Sequence, residues 1–128
     1  MNYLFIKYML FHLLTIFFLF VVFDLMFFWV NRDFLDKTIR KVQRTSSQIR
    51  LAGAALCYSA LTALLYASLS LSYLKTFALG ACVYAVYEGT NYAIFENWPA
   101  TMVVMDTLWG GILFVLVKYT YLKVRTFF

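Results

Sequence analysis

A chain of 128 residues that is 64% hydrophobic and only 13% charged has too little polar surface to stay dispersed as a soluble domain of this size. Its mean hydropathy of +0.79 points the same way. A single proline and five glycines leave little material for linkers, so residues 1–128 read as one transmembrane domain.

A helix that crosses the bilayer needs about 20 mostly apolar residues, and four such runs follow one another. The first extends from about Tyr8 to Val30. It is too long for the hydrophobic region of a signal peptide, carries Asp24, and is followed by Asn31-Arg32-Asp33 instead of a small-residue cleavage site, so it is read as retained. Next comes the one hydrophilic stretch, Asn31 to Arg50, where Arg32, Lys37, Arg40, Lys41, Arg44 and Arg50 outnumber Asp33 and Asp36. Phe34, Leu35, Thr38, Ile39 and Val42 fall between the charges at helical spacing, which suits an amphipathic helix lying at the interface. A short basic loop tethered between two spans is better explained by lipid headgroups than by nucleic acid.

The second run, about Leu51 to Tyr73, carries Ala60, Ala63, Ala67 and Ser70 as a small-residue stripe suited to close helix packing. Only Lys75 and its neighbours separate it from the third, about Thr76 to Phe95. Glu96-Asn97-Trp98-Pro99 then turns the chain into the fourth, about Ala100 to Tyr119, with proline where a helix start tolerates it. Gly110 and Gly111 offer the fourth run a close approach of its own. Long unbroken apolar runs argue against membrane-spanning β-strands. The expected fold is therefore all-α, an integral membrane bundle of four transmembrane helices with an interfacial helix in the loop after the first. The clustered charges of residues 31–50 favour the cytoplasmic side for that loop, although Lys7, Lys75, Lys118, Lys123 and Arg125 nearly balance them from the opposite face.

Three of the six acids, Asp24, Glu88 and Asp106, fall inside the spans. A charge at the bilayer centre costs about 2.5–3.5 kcal/mol on insertion scales, so such residues are rare and face the bundle interior. Counting at 1.5 Å per residue from the helix ends puts each of them roughly 10–12 Å beneath the face that carries the basic loop. At that level the second span offers Cys57, Tyr58 and Ser59. No Lys or Arg shares this depth, and only Arg32 or Arg50, reaching inward, would meet the acids. Gly80, Tyr84, Tyr87, Glu88, Asn91 and Phe95 recur at helical spacing and form one polar stripe on the third span. Cys57 and Cys82 read as small apolar residues, and His12 has no evident partner. No zinc spacing is present.

Tyr87-Glu88-Gly89-Thr90-Asn91, then Trp98-Pro99, then Asp106-Thr107-Leu108-Trp109-Gly110 resembles the domain-of-unknown-function 2177 family, small four-span membrane proteins of bacteria and viruses. The likeness is close over the C-terminal third and rests elsewhere on hydropathy and on an acid late in the first span. The chain departs from the family pattern with Glu88 where the family tends to carry Asp, and with Phe27 where it tends to carry Trp. The resemblance implies the four-span architecture and picks out the same residues, but brings no activity.

The residues expected to bind an ion or substrate are Asp24, Glu88, Asn91 and Asp106, supported by Tyr58, Tyr84, Tyr87, Thr90, Trp98 and Trp109. The favoured function is transport or conduction of protons or a small cation by an oligomer, because four short helices barely enclose a path. The alternative is a structural or accessory subunit of a larger membrane complex, for which 14 Phe, 10 Tyr and 3 Trp supply broad contact with lipid or neighbouring subunits. Acids that only fix helix register through hydrogen bonds weigh against the first function about evenly. An intramembrane enzyme ranks last, since no nucleophile–base pair, metal motif or phosphate-binding glycine loop accompanies the acids; no catalytic residue and no cofactor is expected.

Overall fold

The structure, a computed structural model, describes residues 2–45 and 48–128. Residues 46 and 47 of the basic loop lie outside the described residues, as does Met1. Among the described residues the chain is all-α, with five α-helices and no strand. The helices are α1 (Tyr3–Val30), α2 (Arg32–Gln43), α3 (Leu51–Ala67), α4 (Tyr73–Ile94) and α5 (Ala100–Val124), with a 3-10 turn at Arg125–Phe127.

Local chemistry sets these limits. Asn2 caps α1 by accepting the Leu4 N–H at 3.2 Å, so the helix begins five residues before the apolar run that announces it. At its other end Asn31 returns both its backbone N–H and its side-chain amide to the Phe27 carbonyl, at 3.1 and 3.0 Å. The amphipathic pattern after it does form a helix, α2, which closes at Arg44 in the left-handed region (φ 63°) with its N–H on Arg40 O. Phe34, Leu35, Ile39 and Val42 of α2 are half-buried, Thr38 is buried, and the basic side chains are exposed. Asn97, in the turn between α4 and α5, reaches the Lys41 carbonyl at 3.5 Å.

The second span expected to Tyr73 ends at Ala67. Ser68 turns its hydroxyl onto the carbonyls of Leu64 and Leu65, at 2.7 and 3.2 Å, and Ser72 caps the next helix through the Lys75 N–H at 3.3 Å. Serines that bond their own backbone favour caps over helix interiors, and here they cut one apolar run into a 17-residue α3 and a separate turn. Two helical segments are long and apolar enough to cross a membrane, Tyr3–Val30 and Ala100–Phe127, while Leu51–Ala67 is a shorter apolar helix. The 22 residues of α4 have the length, but Lys75, Thr76, Glu88, Thr90 and Asn91 dilute its apolar character.

Packing centres on α5. The short turn after α4 folds α5 back against it, and α1 lies against both α3 and α5. The α4–α5 contact is close because of glycines: a methyl group on Gly80 would sit 2.7 Å from Phe114 Cγ, and one on Gly111 would sit 2.6 Å from the Phe77 ring. Ile16, Phe20, Leu61, Leu65, Leu113, Phe114, Val117 and Tyr121 make the core, with the Phe20 and Phe114 rings edge to face at 5.3 Å. The small-residue stripe of α3 points elsewhere. Ala60, Ala63, Ala67 and Ser70 are exposed, and α3 meets the bundle through Leu61, Thr62 and Leu65. Bulky residues win the inner face because they fill the gap left by α1 and α5.

Candidate functional site

The three acids are buried at one end of the bundle, at 4% exposure for Asp24, 1% for Glu88 and 8% for Asp106. Each arrives on the inward face of its own helix. On α1, Asp24 continues the four-residue rhythm of Ile16 and Phe20; on α5, Asp106 follows Met102 on the face that runs on through Gly110, Leu113 and Val117.

Asp24 is held from two sides. The Tyr58 hydroxyl donates to its Oδ2 at 2.6 Å and the Trp109 indole N–H donates to its Oδ1 at 2.9 Å. Phe27, one turn further along α1, stacks flat on the Trp109 ring at 4.6 Å with an interplanar angle of 7°. Where an indole on α1 would add a donor, phenylalanine instead fixes the plane of the indole that α5 supplies.

Glu88 and Asp106 form the second station. The Trp98 indole, itself buried, donates to Glu88 Oε2 at 2.6 Å. The Asp106 carboxyl neighbours that of Glu88 and lies within electrostatic range of Asp24. Two neighbouring carboxyls can hydrogen-bond to one another only when one of them carries a proton. Among the described residues no Lys, Arg or His is paired with either carboxyl. Arg32 instead donates to the Trp29 carbonyl and lies over the Trp29 ring at 5.2 Å, and the one ion pair among the described residues is Arg40–Asp36, at the surface of α2. Among the described residues no three His, Cys, Asp or Glu side chains are grouped to hold a metal ion.

The supporting residues divide. Tyr84 packs its ring against Gly110 and comes within electrostatic range of Asp24 and Asp106. Asn91 is buried on α4, as Glu88 is. Tyr87 is 59% exposed, on the edge of the site. Thr90 does not join: it is exposed and gives its hydroxyl to the Val86 carbonyl at 2.6 Å. Cys57 and Cys82 are free and exposed, so neither is a core residue.

The opposite end of the bundle holds polar contacts that sequence reading missed. Lys118, grouped by its position with the basic residues at the membrane face, is 4% exposed. Its ammonium donates to the Leu71 carbonyl and to Thr76 Oγ1, the latter at 3.3 Å, and lies 4.8 Å from the Tyr73 ring centre. His12 does have a partner, the Tyr121 hydroxyl at 3.1 Å. The available signal was spacing: Gly111, Phe114, Lys118 and Tyr121 share the α5 face that carries the core.

No curated protein matches the chain, and no solved structure does. A family model described as a predicted membrane protein (DUF2177) matches residues 5–122. That match takes in all three acids, the indoles of Trp98 and Trp109 and the buried Lys118, and the chain belongs to this family of predicted membrane proteins.

Proposed function

We propose that the chain is a four-span, single-domain membrane bundle whose Glu88–Asp106 pair binds and releases protons in the transport or conduction of protons or a small cation. The observation that carries this reading is the adjacency of two buried carboxyls with an indole donor and, among the described residues, no cation paired with them. Interhelical hydrogen bonds in membranes average about 0.6 kcal/mol, a small return for burying acids that each cost several times as much. Protons are favoured over metal ions because the acids approach one another in a pair with the third standing apart, held by Tyr58 and Trp109. The basic loop is proposed to face the cytoplasm, and the pore or path to involve more than one copy of the chain.

The test is proton flux into vesicles reconstituted with purified protein and loaded with a pH-sensitive dye. Glu88→Gln with Asp106→Asn is expected to reduce flux to the leak of protein-free vesicles while the elution profile in detergent stays unchanged. Flux equal to that of the parent protein rejects the proposal.

A second reading, an accessory subunit of a larger membrane assembly, draws on the outward face of α3. Ala60, Ala63 and Ala67 are exposed there, the kind of small-residue surface on which another helix packs closely. Purification in mild detergent discriminates: a stoichiometric foreign partner favours the accessory role, a homogeneous oligomer the first reading.

A further inference from the structure

Asn31 to Arg50 carries six basic residues and two acids, and α2 sorts its share of them by direction. Phe34, Leu35, Ile39 and Val42 are half-buried and Thr38 is 2% exposed, so the helix rests on the bundle by that side. Lys37, Arg40, Lys41 and, at the C-cap, Arg44 recur at spacings of three and four on another side, and all four are exposed. Asp36 is taken by Arg40 at 2.8 Å, and Arg32 is turned back over the Trp29 ring. Asp33 stands in the first turn, where an acid suits a helix N-terminus. Lys37, Lys41 and Arg44 are left without an ion pair among the described residues. The place of α2 gives that face a meaning. It starts one residue after α1 ends, and its 12 residues extend about 18 Å. Near its far end the Lys41 carbonyl accepts the Asn97 amide at 3.5 Å, in the turn that carries Trp98, the donor to Glu88. The helix thus reaches from the end of α1, past Asp24, to the α4–α5 turn, across the bundle end that holds the acids. Trp29, 68% exposed at the same end, suits the membrane–water interface, where indoles concentrate.

We infer that Lys37, Lys41 and Arg44 bind the headgroups of anionic phospholipids, so that the surface charge of the leaflet holds α2 across the acid end of the bundle. Charge complementarity names the partner. The apolar side of α2 is already engaged, and its remaining cations lack acids of their own. An anionic surface at headgroup depth matches them, and there each basic residue adds its own attraction. Zwitterionic lipid also carries a phosphate, but its cationic group cancels the net charge. A free phosphate ion has no acyl chains to fix it at the level of Trp29. Lipid binding by α2 does not depend on what the acids do.

Hydrogen exchange of the full chain in lipid nanodiscs tests this. In discs of phosphatidylcholine and phosphatidylglycerol in equal parts, the α2 amides are expected to exchange about tenfold more slowly than in phosphatidylcholine alone, while those of α4 and α5 keep their rates. Equal rates in α2, or a slowing shared by every helix, overturns the inference. At about 1 M salt, where the Debye length is about 3 Å, the difference is expected to vanish; a difference that survives means charge is not its cause, and the inference falls. Lys37→Gln, Lys41→Gln and Arg44→Gln together change only exposed side chains. They are expected to abolish the dependence on lipid charge with thermal unfolding unchanged, and a dependence that persists overturns the role of these three residues. Should the triple variant misfold, the salt comparison on the parent chain still decides. Inorganic phosphate added to the neutral discs is expected to leave the rates as they were; protection equal to that of the anionic lipid overturns the assignment to a membrane surface.

Discussion

The two halves of the bundle interface are specified by different physics. Along α1, His12, Ile16, Phe20 and Asp24 follow at four-residue steps, and the contacts they make pass from polar to dry to polar. In the dry middle Ile16, Phe20, Leu65, Leu113, Phe114 and Val117 are all fully buried. Lipid tails are as apolar as these side chains, so burial by itself contributes little inside a bilayer and close packing decides. At the acid end each of Asp24 and Glu88 has its own dedicated donor, and direction decides. Polar contacts at both ends set the register, and the dry middle then fills it.

The largest expected effect comes from breaking the middle. Gly80→Val would drive its side chain into the Gly110 carbonyl and the Phe114 ring, an overpacking expected to cost about 3 kcal/mol or more in thermal unfolding followed by near-ultraviolet circular dichroism. A melting curve like the parent's would mean that the α4–α5 contact is looser than the comparison requires. Trp98→Phe breaks the acid end instead. It strands Glu88 without its donor, with an expected cost of about 1–3 kcal/mol, and hydrogen exchange should show protection lost around the 95–99 turn while the His12–Tyr121 end keeps its own. Equal loss at both ends would erase the distinction between the halves. The smallest effect belongs to Thr90→Val, beside the acid layer in sequence but turned outward; its cost should stay below about 0.5 kcal/mol, with proton flux intact.

Much of this arrangement was legible in the sequence because the bilayer makes polarity expensive. Asp24, Glu88 and Asp106 stood out by depth alone, and Trp98 and Trp109 by their place in the family pattern. Other features were hidden for identifiable reasons. The alanine stripe of α3 announces a face without saying whether that face turns inward, and the partners available here were bulky. Ser68 and Ser72 end and begin helices through local hydrogen bonds that hydropathy does not register. Lys118 sits near a helix end, where lysine ordinarily extends into the headgroups. Its burial depends on a carbonyl that becomes available only because α3 stops early and leaves Leu71 in a turn.

The off-centre depth of the acids has an electrical consequence. With the basic loop at one face and a hydrocarbon core about 30 Å thick, a proton travelling from that face to the Glu88–Asp106 pair, roughly 10–12 Å in, crosses about one third of the transmembrane voltage. The full drop is worth about 2.3 kcal/mol per charge for each 100 mV, so the fraction reaching this pair is about 0.8 kcal/mol, or about a fourfold change in proton occupancy. A proton arriving from the far side, past Lys118 and the dry middle, would cross the remaining two thirds. If the pair exchanges protons as proposed, the acid layer of the four-span bundle acts as a voltage divider, and polarising the membrane is expected to load or empty it at constant pH.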